Sequence, residues 1–187
     1  MWNNKHKWIF VHPEKCGGVS IEQILRLHHK DGLIDIEKNT QHWNISQYIK
    51  EIGSENLNNY LIFGCIRNPW DRMVSLYYHA KKHDSYKEDF GEYVNMIDYE
   101  KKQMSAKYKF CLKGVNVMNF VAKIENFEED VSKIMKKIGI SDYILNKYDH
   151  STDRPKTPYQ EYYTKAARDI IEENFQWDIE TFNYSFE

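Results

Sequence analysis

The sequence predicts an α/β fold with a mainly parallel sheet, and three short apolar runs carry that reading. Residues 8–12 (WIFVH), 60–66 (YLIFGCI) and 119–124 (NFVAKI) are rich in β-branched and aromatic side chains, as strands buried on both faces require. Each run is followed by a helical pattern, and strand, turn and helix in repetition mark an α/β chain.

After the first run, Ile21, Ile24, Leu25 and His28 share one helix face. After the second, Asn68 is placed as N-cap and Pro69 at the first helical position, with Val74, Tyr77 and Tyr78 on one face. After the third, Asn126 is the expected N-cap, with Glu129 three residues into the helix and Gly139 as its stop. Residues 43–53 predict a further helix, and Ala167, Ile170, Ile171 and Phe175 predict a closing one from Thr164. The stretch 84–115 is polar, rich in Tyr and Lys and weakly periodic, so only weak helices are expected there.

With 187 residues and no linker, repeat or low-complexity tract, the chain is expected to form a single domain, 1–187. Twenty-six basic and 28 acidic side chains leave a net charge of −2, which argues against nucleic acid or an anionic membrane as partner. Cys16, Cys65 and Cys111 are odd in number and widely spaced, as expected of reduced thiols in a cytoplasmic protein. No window approaches the length of a membrane span.

The chemistry is expected at the carboxyl ends of the strands, where open α/β sheets hold their ligands. The loop "HPEKCGGVS", 12–20, joins the first strand to a helix N-terminus. Gly17 and Gly18 let backbone N–H groups approach an anion, and Lys15 and Ser20 add a cation and a hydroxyl. A tight strand-to-helix turn would also account for the two glycines. Lysine precedes the glycines here, opposite to the Gly-Lys-Ser/Thr order of ATP-binding loops, which disfavours a kinase. In "FGCIRNPWDRMVSLYYH", 63–79, Arg67 ends the second strand and Ser75 follows two helical turns later, a guanidinium and a hydroxyl suited to a phosphate. Asp71 is explained by the first helical turn, Trp70 and Val74 by the core, and Arg72 by a solvated face or an acidic partner.

These two stretches resemble the 5′-phosphosulfate and 3′-phosphate motifs of sulfotransferases that use 3′-phosphoadenosine 5′-phosphosulfate (PAPS), closest to the carbohydrate-type enzymes and their small bacterial relatives. The likeness continues through "QHW" (41–43), "KIENFEED" (123–130) and "YQEYYTKAARDIIEENFQWDIETFNYSF" (159–186). It implies a three-layer P-loop-like fold, a central sheet flanked by helices, and transfer of the sulfuryl group to a hydroxyl of a carbohydrate or small metabolite. By that resemblance Lys15, Cys16, Gly17, Gly18, Val19 and Ser20 hold the 5′-phosphosulfate, with Lys15 stabilising the leaving phosphate. Arg67 and Ser75 hold the 3′-phosphate, Arg154 and Lys156 close over it, and Glu125 and Asn126 lie near the adenine.

The family loop usually reads H-x-P-K-[TS]-[AG]-G-[TS]-S. Here Cys16 and Val19 replace two hydroxyls, and proline stands one position early, leaving Glu14 before the lysine. The loop is therefore expected to rely on backbone amides, Lys15 and Ser20.

Of eight histidines, His42 is the expected base, because the resemblance places a histidine or glutamate between the two motifs. Glu22 is the alternative base, with a salt-bridged surface residue as its plainer explanation. His12 is expected to orient the loop or satisfy a backbone carbonyl, and His28, His29, His79 and His83 to be solvated. No metal requirement is expected. A nucleotide kinase and a catalytically silent adenosine 3′,5′-bisphosphate-binding module are the competing readings.

Overall fold

Strand β2 (Trp8–Val11) lies at the centre of a five-stranded sheet, paired in parallel with β4 (Leu61–Ile66), which pairs in parallel with β7 (Phe120–Lys123). These are the three expected strands, each trimmed by one or two residues. The computed structural model describes residues 1–34, 40–83, 86–96, 104–145 and 154–187.

The antiparallel edge was not anticipated: β1 (Trp2–Asn3) pairs with β2 and with β3 (Leu33–Ile34), giving the order β3-β1-β2-β4-β7. Two-residue strands are too short to produce an apolar pattern, so only their pairing shows them. A two-stranded antiparallel sheet, β5 (Cys111–Leu112) with β6 (Val115–Asn116), follows the short helix α5 (Ala106–Phe110).

The chain divides into two compact units, 1–66 with 106–148, and 67–105 with 149–187. In the first, Trp8, Phe10, Phe63, Cys65 and Ala122 from one sheet face pack with Ile21, Ile24 and Leu25 of α1 (Gly18–His28). Phe127, Val131, Ile134 and Met135 of α6 (Phe127–Lys137) join the same core. Ile9, Val11, Ile62 and Ile66 point to the other face and are buried as well, which is why these strands read as unbroken apolar runs. Helix α2 (Ile45–Ile52) opens on a reciprocal capping box between Asn44 and Gln47 and stops at Gly53.

Asn126 does precede α6 but its side chain makes no capping bond; Glu128, Glu129 and Asp130 in the first turn offset the helix dipole instead. Ile138 is the last helical cap, and Gly139, at φ 80°, carries the chain out of the helix.

In the second unit, α3 (Pro69–His83) packs Trp70, Met73, Val74 and Tyr77 against Phe90, Tyr93 and Val94 of α4 (Phe90–Asn95). Ala167 and Ile171 of α7 (Lys165–Asn174) and Phe175 complete that core. The closing helix is two helices, because Phe175 breaks the run before α8 (Gln176–Thr181). Asn68 caps α3 as expected, accepting from the amides of Trp70 and Asp71, and its Nδ2 also donates to the Ser185 carbonyl. Tyr159 Oη donates to the Phe186 carbonyl and Tyr163 Oη to that of Trp70, so the C-terminal tail is strapped to the start of α3.

Two readings are corrected here. Arg72 is 1% exposed: Nη2 donates to the Met104 carbonyl and the guanidinium lies 5.2 Å from the Phe175 ring, a stacked burial that its helical position alone does not reveal. His29 is buried, and its Nδ1 accepts from Trp8 Nε1 at 2.9 Å. Tyr77, Tyr86, Tyr93 and Phe90 stack edge-on against one another, so Tyr86 and Tyr93 of the Tyr-rich stretch are engaged in packing.

Candidate functional site

The loop between β2 and α1 is shaped by backbone conformations that side chains resist. Lys15 has φ 61° and Gly17 φ 77°, both left-handed; at a lysine this conformation costs about 1–2 kcal/mol and marks a loop held for a purpose. Gly18 is required for a different reason: a β-carbon there would lie 2.2 Å from Nδ1 of His12. The glycine pair thus reflects one conformational and one packing demand.

Gly17 caps α1 without a side chain, and no acidic residue lies in the first turn. Among the described helices of eight residues or more, only α1 lacks both devices: α2, α3 and α7 are side-chain capped and α6 is acidic at its start. The positive end of its dipole thus has neither a capping side chain nor a first-turn acid against it, a setting that suits an anion. Ser20 is buried in the same turn, Val19 is half-buried, and Cys16 is sealed, its thiol pointing to the Glu14 carbonyl at 3.6 Å.

His12 backs the loop, with Nδ1 3.1 Å from the Pro13 carbonyl and Nε2 3.0 Å from Glu22 Oε1. Glu22 is 4% exposed and also faces Arg26 at 3.8 Å. It is therefore a buried partner of His12 rather than a surface residue.

His42 stands edge-on to His12, ring centroids 4.9 Å apart. Its Nδ1 is buried without a hydrogen-bond partner, 4.0 Å from Glu14 Oε1. Lys109 Nζ lies 3.5 Å from the same Oε1 and donates to the His42 carbonyl. Burial, His12 and Lys109 lower the pKa of His42, against an upward pull from Glu14 and a backbone hydrogen bond with His12. The net direction is down, which keeps the imidazole neutral and able to take a proton near pH 7.

The second unit holds a separate cluster. Arg67 places Nε and Nη2 2.6 Å from Asp71 Oδ2, and Arg154 places Nη1 2.6 Å from Asp71 Oδ1. Asp71 is thus a bridge between two guanidinium groups as well as a first-turn acid, and the cluster keeps a formal charge of +1. The fork of Arg67 is turned to Asp71. Ser75 is buried on α3, and Lys156 is exposed and outside the cluster. Glu125 and Asn126 form a short 3-10 turn after β7.

By sequence Asp71 is only a first-turn acid; its pairing with Arg67, which precedes the helix, is seen in the fold. Glu14 sat inside the loop motif without a role, and Lys109 lies in the weakly patterned stretch, where nothing marked it.

The sequence profile of the sulfotransferase family matches residues 1–185. The chain belongs to the sulfotransferase family. An uncharacterized protein of Archaeoglobus fulgidus is 34% identical over 91 residues, 48% of this sulfotransferase-family chain and 76% of its own length. Mouse sulfotransferase SULT7A1, solved in complex with PAP, superposes with a TM-score of 0.56 at 14% identity, over 96% of this chain and 86% of that one. At that identity the likeness is one of fold, and it agrees with a mainly parallel sheet flanked by helices.

Proposed function

We propose that the protein moves the sulfuryl group of PAPS to the hydroxyl of a carbohydrate or small metabolite, as a single domain, 1–187. The observation that carries this reading is the uncapped start of α1 behind a left-handed Lys15 and Gly17, in a chain of the sulfotransferase family. The family match runs through both compact units, which supports treating them as one functional domain.

Lys15, the loop amides from Cys16 to Ser20 and the Ser20 hydroxyl take the 5′-phosphosulfate. Arg67 and Ser75 take the 3′-phosphate, with Arg154 held to Arg67 through Asp71 and Lys156 more peripheral. Sulfuryl transfer is in-line and loose, so the residues act chiefly by positioning and by stabilising charge on the leaving 5′-phosphate. His42 takes the proton of the acceptor hydroxyl. No metal is required in this scheme, because the loop and Lys15 supply the positive potential.

The cytoplasm is the proposed compartment; no helix among the described residues is long and apolar enough to cross a membrane. The mouse structure, solved with PAP, supports the choice of nucleotide. The test is transfer of label from [35S]PAPS across a panel of glycans, phenols and small alcohols. Label on a hydroxyl acceptor supports the enzyme; bisphosphate binding without transfer to any acceptor would leave a silent binding module.

A further inference from the structure

Two buried polar atoms near the loop lack partners, and they belong to adjacent groups of complementary chemistry. Glu14 Oε2 and His42 Nδ1 are both sealed from solvent and make no hydrogen bond. Such orphans carry a desolvation cost and call for an explanation. The other Glu14 oxygen lies 4.0 Å from that same Nδ1, about one ångström beyond a hydrogen bond, a gap typical of catalytic pairs before substrate binds.

We propose that Glu14 is a positioning residue for His42: its carboxylate accepts the Nδ1 proton and so fixes the tautomer whose Nε2 takes the proton of the acceptor hydroxyl. This rests on the transfer reaction proposed above. Nδ1 is the buried nitrogen on the Glu14 side, and Nε2 is the nitrogen assigned to the acceptor proton. In the transfer step the hydroxyl O–H bond breaks toward Nε2 as the new O–S bond forms. The S–O bond to the 5′-phosphate breaks, and its electron pair leaves on adenosine 3′,5′-bisphosphate. His42 emerges as an imidazolium with its Nδ1–H facing Glu14.

Lys109 completes the device, since its ammonium lies near Glu14 Oε1 and is bonded to the His42 carbonyl, tying carboxylate and histidine together. Glu14 occupies the place where the family loop usually carries proline, so the arrangement belongs to this chain's version of the loop. The charged groups around the imidazole come from three elements: His12 at the end of β2, Glu14 in the loop and Lys109 in α5. Glu14 pulls the His42 pKa up and His12 and Lys109 push it down.

The test reads the imidazole directly and needs neither nucleotide nor acceptor. Long-range 1H–15N spectra of the full chain are recorded from pH 5 to 8.5, with the His42 signals assigned by their loss in His42→Asn. The expected result is a neutral His42 protonated on Nδ1. In Glu14→Ala it shifts toward the Nε2-protonated form and its pKa falls; in Lys109→Met the pKa rises. An Nε2-protonated wild type would overturn the proposal. So would an Nδ1 tautomer that survives Glu14→Ala, which would assign the bond to the His12 backbone. Should Glu14→Ala not fold, the wild-type tautomer alone decides. Failure to transfer sulfuryl from PAPS, by contrast, would count against the enzymatic reading while leaving the tautomer result as measured.

Discussion

The ring of His12 fills the space that a side chain on Gly18 would need, 2.2 Å from the site of its β-carbon, while Nε2 of the same ring is paired with buried Glu22 at 3.0 Å. Gly18→Ala must therefore displace the ring and break that pair. The expected cost is about 1–3 kcal/mol of stability, read by urea unfolding, together with loss of adenosine 3′,5′-bisphosphate binding. Unchanged stability would show that the ring has somewhere else to go.

Asp71 joins Arg67 and Arg154, so the three should behave as a unit toward the 3′-phosphate. Arg67→Ala is expected to weaken adenosine 3′,5′-bisphosphate at least 10-fold, about 1.4 kcal/mol or more, while leaving AMP affinity within about 2-fold by titration calorimetry. Equal losses for both nucleotides would place Arg67 away from the 3′-phosphate.

His29 offers a pH prediction outside the site. Burial, then His6 and His28, lower its pKa below the ordinary 6.5, and its Nδ1 must stay unprotonated to accept from Trp8. The unfolded chain then binds the proton first. The contribution of His29 is fully present above pH 6.5, begins to be lost as pH falls through 6.5, and is gone below the folded pKa. Melting temperatures from pH 8 to 5 should fall more for wild type than for His29→Gln, and parallel curves would contradict the assignment.

The cysteines differ in access. Cys16 and Cys65 are fully buried and Cys111 is half-buried; burial, with Cys16 and Glu22 nearby, raises the Cys65 thiol pKa well above its usual value. An aromatic disulfide reagent should therefore label Cys111 first and the other two only on opening of the fold. Adenosine 3′,5′-bisphosphate should slow the labelling of Cys16, which lies in the loop.

The parallel strands were legible because burial on both faces turns them into continuous apolar runs, as in WIFV and LIFGCI. The edge strands β1 and β3 were not, since two residues cannot carry a period. The loop and Arg67 could be read because their chemistry is local in sequence. The surroundings of His42 depend on Lys109, 67 residues away in a weakly periodic stretch, and the burial of Arg72 and His29 depends on Phe175 and Trp8, contacts that only the fold creates. Asn126 was misread as a capping side chain because its position is right and its geometry is not. In the turn-rich stretch 149–158 the residues up to 153 lie outside the described residues, as do 84–85 and 97–103 of the stretch 84–115.

The central claim is that the loop of α1 and the Arg67 cluster serve a nucleotide carrying a 3′-phosphate. Titration calorimetry with adenosine 3′,5′-bisphosphate against ADP tests this most directly. The account predicts that the bisphosphate binds at least 10-fold more tightly, without added divalent metal, and that Arg67→Ala removes the difference. Equal affinity for the two nucleotides, or binding of neither, would contradict it.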